Sequence, residues 1–493
     1  MTEREKIAHL LRRFGFGASV QELESYATLG FDATLRRIVD YKPEPDSVHP
    51  FRWFQTKAGE TEIGTYRLKM WWAYIMVTTR TPLREKMALF WHDHFAIHED
   101  DAGDPLMVLE YLQVLRSDPL GLFPALLQKV PKSPAFMEML TMRGSFKGAP
   151  NENFARELLE LYTLGIGHYT EKDVQEAARA FTGWSYESLY YRSRWNDMER
   201  LKATSDSGMP LASYGFFESY FDAGSKTILG EAKAFKGEDV LAKTALHLKT
   251  AEHLTGKLWE YFAGTTPDPK VLAMLASEYL KTKGDIRAVL MMIARHPGFY
   301  SQEVIRAKIK NPIEHHVGIV RAMDSVSWLP AKVGINKPWN EPIPREVQDQ
   351  IGGLAYHFAQ SGMNLLAAPT VAGWDWGEAW INSNSMLWRA KFEGIYTWEP
   401  KDKERKKWGP ASGGDAFVSA IKAMGPQNVE GIALALQIFF DVKLDDQAKQ
   451  ALINHLNSHG GYEPCKSGND GWFFGQLWEA FKLLKVAPAF HVH

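Results

Sequence analysis

The sequence predicts a mainly all-α protein: a multi-helix body with long loops and at most a small β insertion. Three observations predict it. Amphipathic segments with a period near 3.6 recur along most of the chain. Helix start and stop residues bracket those segments at regular intervals. Few stretches alternate with period two for long, so any sheet is small.

The elements follow in order. Ser19 and Glu22 have capping-box spacing, and Gly30 closes the short helix behind them. Thr81-Pro82 reads as an N-cap followed by proline at the first helical position, opening a helix over 83–98. Asn151 caps ENFARELLELYTL, which Gly165 ends. Thr170 and Asp173 open the next helix, with Val174, Ala177, Ala178 and Phe181 on one face. KTALHLKTAEHLTGKLWEYF, PKVLAMLASEYL and DIRAVLMMIARHPGF continue the helical run. Residues 196–236, rich in Gly, Ser, Tyr and Phe, form a long ordered loop or small β insertion, and 325–385 are again loop-rich. The charged run 401–407 is a solvated connection, and 415–484 are helical. The expected division is a helical domain over 1–400 and a C-terminal helical segment, 401–493, packed on it.

Composition excludes several function classes. A formal net charge of −2 gives no global field for nucleic acid or an anionic membrane, so no nucleic-acid partner is expected. Cys465 is the one cysteine, which rules out an intramolecular disulfide and a multi-cysteine zinc site. Arg12-Arg13 has no apolar stretch behind it, and no window approaches the roughly 20 apolar residues of a membrane span. As written, the chain is expected in the cytoplasm.

Two helices carry the candidate site. If the 83–98 helix is regular, Leu83, Met87, Phe90, Trp91, His94 and His98 share one face, and His92 points the opposite way. His94 and His98, four apart, have the spacing that brings two imidazoles onto one divalent metal. On the other helix, Asn153, Glu157 and Glu160 fall within about 60° of one another beside the apolar stripe of Phe154, Leu158, Leu161 and Tyr162. Three oxygen donors and two histidines could form a mixed site for a divalent metal between helices. The structural alternative makes His94 a core histidine with both nitrogens hydrogen-bonded and lets His98 cap the helix end. In that alternative Arg156 pairs with Glu152 and Glu160, and Arg12 or Arg13 pairs with Glu157 or Glu160 in a buried network. His315-His316 and the pair His247 and His253 are weaker ligand candidates. Trp374, Trp376 and Trp380 form either a carbohydrate platform or a packing cluster.

Several segments together resemble one family. LLRRFGFGA near the N-terminus, FWHDHFA at 90–96, NENFARELLELYTLGIGHYTEKDVQEAARAFTGW at 151–184, KTILG at 226–230, HLTGKLWEYF and GWDWGEAWINSNSMLWRA are similar to motifs of the bacterial Domain of Unknown Function 1800 family. The resemblance covers most of residues 5–392. Many members look exported and many are encoded beside sulfatase-like proteins, so the resemblance implies a sulfatase-like partner. This chain departs from the family in lacking the export signal and in carrying Phe221-Asp222 where members often have His-Asp. Two functions are expected on equal terms. One is a metal-dependent hydrolase-like enzyme acting on an anionic ester or polysaccharide, with metal-bound water as nucleophile. The other is a non-catalytic helical partner or scaffold protein with a buried Arg-Glu-His structural network.

Overall fold

Helices begin where the sequence places their caps. Ser19 and Thr170 each accept from the backbone N–H three residues on, and Glu22 and Asp173 reach back to complete the capping boxes. Pro82 occupies the first turn of helix Pro82–His94, and Asn151 caps Glu152–Glu157. The computed structural model describes the chain except for residues 43–44, 58, 189–195, 208–211, 325–327 and 393–412, so the connection expected at 401–407 lies outside the described residues. Helix accounts for 61% of the described residues. The described residues hold 25 α-helices and three two-stranded antiparallel ribbons.

The ribbons correct the expected placement of strand in part. Ala212–Phe216, Lys226–Ile228 and Glu231–Lys233 fall in 196–236, but that stretch also holds the helix Asp197–Ser207. Trp184–Ser188 pairs with Ala212–Phe216 in the register Trp184↔Phe216. The ribbon Gln55–Lys57 with Glu60–Thr61 lies outside that stretch.

Three consecutive helices, Thr65–Thr78, Pro82–His94 and Pro105–Ser117, run through the core and are buried on nearly every side. Trp53, Trp71, Trp72, Trp91 and Trp184 are fully enclosed, and a buried side chain such as Phe90 contributes about 1.5–3 kcal/mol. Helices enclosed this way must satisfy their polar residues internally. Glu85 therefore accepts from the Trp72 indole N–H at 2.8 Å and from Arg116, which also reaches Asp46. The C-terminal helices close over the N-terminal one: Arg12 and Arg306 both pair with Asp441, and Ile309 bridges Val492. Among the described residues no helix is long and apolar enough to cross a membrane.

Candidate functional site

Helix Pro82–His94 stops four residues short of the expected span. Phe95 leaves helical geometry at φ −109°, ψ 54°, and the chain beyond it pairs with another segment. The Ala368 N–H donates to the Ile97 carbonyl at 3.0 Å, and His98 bridges Ala367. His98 thus leaves the face of His94, and its Nδ1 accepts from the Asp100 N–H at 3.3 Å. The helical spacing that made the two histidines neighbours does not exist, because a tertiary bridge outcompetes the last helical turn.

The three polar residues at the helix end are buried and engaged. His92 Nε2 accepts from the Leu366 N–H at 3.0 Å, so its Nδ1 carries the proton toward the Tyr111 hydroxyl at 3.3 Å. Tyr111 in turn donates to the Phe95 carbonyl. Asp93 accepts from the Trp374 N–H at 2.9 Å on one oxygen and from the Trp376 indole N–H at 3.1 Å on the other. Burial raises its pKa to about 6, against the pull of Lys257 and those two donors. Gly373 makes this approach possible: its φ is +89°, and a Cβ there would fall 2.3 Å from the Asp93 Oδ1.

His94 joins two helices. Lys257 Nζ donates to its Nδ1 at 3.2 Å, so the proton sits on Nε2 and goes to the Tyr162 carbonyl at 3.2 Å. Burial, then the charge of Lys257, hold the imidazole well below its ordinary pKa, which keeps it neutral. One turn before Lys257, His253 Nε2 stands 3.2 Å from the Leu161 carbonyl. Both carbonyls belong to a π-helical turn, Leu158–Tyr162, that ends the acidic helix. A helix terminus leaves its last carbonyls unpaired. Here Leu158 is met by the Thr163 hydroxyl, Leu159 by the Gly165 N–H, Leu161 by His253 and Tyr162 by His94. The histidines act as donors that cap a buried helix end.

Asn153 and Glu157 precede that turn, and Glu160 lies within it. Asn153 is exposed, while Glu157 and Glu160 are half-buried. Burial, then the like charge of Glu160, raise the Glu157 pKa. Glu160 accepts from the Tyr169 hydroxyl at 2.6 Å. Arg156 pairs with Glu152 as the spacing predicts, but its second partner is Glu171 at 2.7 Å and not Glu160. Among the described residues no three His, Cys, Asp or Glu side chains are grouped so as to hold a metal ion.

The arginines expected beside Glu157 and Glu160 go elsewhere. Arg12 pairs with Asp441. Arg13 donates to the carbonyls of Phe262 and Ala263 at 3.1 and 3.2 Å, and to that of Val304. Phe262 and Ala263 end helix Leu248–Ala263, so Arg13 too caps a buried C-terminus. The physical reason is shared: interior carbonyls need donors as much as interior carboxylates do. Trp374 and Trp380 are buried in the core, whereas Trp376 is exposed on one side and lies edge-on to Tyr261 at 5.1 Å.

Residues that periodicity did not single out complete the frame. Lys257 and Gly373 hold His94 and Asp93 in place. Arg179 grips Asp222 at 2.8 Å, the Asp222 N–H donates to the Thr182 hydroxyl at 2.8 Å, and Lys226 caps the Asp222 and Gly224 carbonyls. The motif segments around 179–184 and 222–230 thus lock each other, without needing the histidine that position 221 lacks. Searches of curated proteins and of solved structures returned no match. The chain belongs to the family described as protein of unknown function, DUF1800, whose model matches residues 9–492.

Proposed function

We propose that this chain is a non-catalytic helical scaffold protein, whose motif residues form an internal frame that fixes one helix arrangement. The observation that supports this most directly is the commitment of His94: both ring nitrogens are used, one by Lys257 and one by the Tyr162 carbonyl. A ligand or general base needs a free nitrogen. The frame would present the surrounding surface to a macromolecular partner, for which the family's association suggests a sulfatase-like protein. Elemental analysis of the purified protein, together with two sets of variants, tests this. The expected result is less than stoichiometric divalent metal and a His94→Leu variant destabilised by about 1–3 kcal/mol for the orphaned carbonyl. Glu157→Gln and Glu160→Gln are expected to keep the wild-type melting temperature. One equivalent of bound metal that Glu157→Gln releases would overturn it.

A second reading rests on one contact. The acidic helix and the histidine helix do meet, at the Tyr162 carbonyl. A metal-dependent hydrolase acting on an anionic ester or polysaccharide would draw its donors from His94, His98, Asn153, Glu157 and Glu160. His94 Nε2 would first have to leave that carbonyl, and His98 its turn. Titration with Mn²⁺ or Zn²⁺ distinguishes the two readings, since a ligand that binds only the folded state raises the melting temperature saturably.

A further inference from the structure

A second polar site lies away from these helices, where the N-terminal helix Glu3–Phe14, helix Pro312–Ala322 and the C-terminal residues meet. A cavity of about 50 Å³ opens there. Its titratable lining is Arg12, Lys310, Glu314, His315, Asp441 and His493. At roughly 10–15 Å³ for each water-sized site, it has room for a few waters or one ion of about five heavy atoms.

Among the described side chains around this cavity, cations outnumber carboxylates. Glu314 is shared by Lys86 and Lys308, with the His493 imidazole on its other oxygen. Asp441 is shared by Arg12 and Arg306. Each carboxylate is therefore over-compensated by one cation. Among the described residues, Lys310, Arg13 and Arg389 form no ion pair with a carboxylate and donate to backbone carbonyls. Interior cations in such excess either find an anion or give up a proton, and burial already draws Lys308 and Lys310 down to about 7. Three residues of the lining carry spare donors. Lys310 Nζ spends one of its three N–H groups on the Phe490 carbonyl at 2.8 Å. Arg12 Nε is buried without an acceptor. His315 is 1% exposed, and neither of its ring nitrogens has a partner among the described residues.

We propose that this cavity binds a small tetrahedral oxyanion, phosphate or sulfate, held by Arg12, Lys310 and His315. Two carboxylates in the wall do not oppose this, because both are already covered by cations. The anion would take up the spare donors and neutralise part of the buried positive charge, tying the N-terminal helix to the C-terminal residues. This site is independent of the histidine frame.

The test is anion titration of the full-length protein in chloride at constant ionic strength. Melting temperature is followed as phosphate or sulfate rises from about 0.1 to 10 mM. A site gives a rise that saturates in this range, whereas general salting-out grows without saturation at far higher concentration. Calorimetric titration of the native chain with each anion provides a second readout that needs no variant. Lys310→Gln is expected to weaken binding at least about tenfold, the loss of one charge-assisted contact, and the exposed Lys270→Gln to leave it unchanged. Saturation by phosphate alone, sulfate alone or both supports the site and identifies its ligand. Absence of both saturable stabilisation and binding heat, or a folded Lys310→Gln that binds like the native chain, would overturn it and leave the cavity to water.

Discussion

Asp93 carries a pH signature that can be worked out in sign. Its folded pKa is about 6, above the usual 3.8, with burial as the main cause. A carboxyl raised in this way stabilises the fold below the unfolded value, and that contribution is lost as pH rises through the folded value. Ionising it in place costs roughly 3 kcal/mol. Asn cannot serve both N–H donors, so Asp93→Asn is expected to destabilise the protein by about 1–3 kcal/mol at pH 4. The gap from wild type should narrow between pH 4 and 7. Urea denaturation at the two pH values checks this; a gap that widens with pH would mean that Lys257 stabilises the carboxylate instead. Much at this scale was legible in advance. A core His94 with both nitrogens hydrogen-bonded is one of the two arrangements its sequence context allowed. The identities of the partners were not legible, because Lys257 and the Tyr162 carbonyl are distant in sequence and one of them is backbone. Residue type cannot announce a carbonyl.

Helices depend on single positions in ways that substitution can expose. Gly373→Ala places a Cβ against Asp93 at a backbone conformation that suits glycine, and its expected cost is 2 kcal/mol or more, about the upper range for strained sites. Differential scanning calorimetry reads it directly. Glu314 offers a sharper comparison. It closes the capping box of Pro312–Ala322 through the Asn311 N–H at 2.9 Å, yet it also holds two buried lysines. Those lysines outweigh burial and keep its carboxyl well below the usual range. Glu314→Gln should therefore cost about 3–5 kcal/mol. The same change at Glu5, an exposed capping-box residue, should cost about 0.5 kcal/mol or less. Equal effects at the two positions would contradict the assignment. Capping boxes of both kinds read alike in sequence, since local spacing reports the turn and not what lies beyond it. The same limit explains His98: periodicity extended the helix to it, whereas pairing with 367–368 ended the helix at His94.

For the whole molecule, the helical class was legible because caps and apolar faces agree along most of the chain. Long-range order was not. Arg12 lies 429 residues from Asp441, and no local pattern links them. We propose that these contacts make the C-terminal helices part of the same folding unit. A chain ending at residue 412 would leave Arg12 and Arg306 without Asp441 and uncover the apolar faces that Phe439, Phe440 and Phe490 protect. It is expected to lose the cooperative transition and bind a hydrophobic dye. Near-ultraviolet circular dichroism and dye fluorescence measure this; a truncated chain that melts cooperatively would show two independent units.

The π-helical turn at Leu158–Tyr162 has a consequence for insertions and deletions. Such a turn behaves as one extra residue lodged in an α-helix. Deleting a residue there would wind the turn back to α geometry and close the wide turn that leaves its carbonyls to outside donors. The Leu161 and Tyr162 carbonyls would then face away from His253 and His94. In a library of single-residue deletions, survivors should thus be rare across 158–163 even where point substitutions are tolerated. Ile166, exposed in the turn that follows, should accept both. The chain's length in this stretch would be under stronger selection than most of its letters.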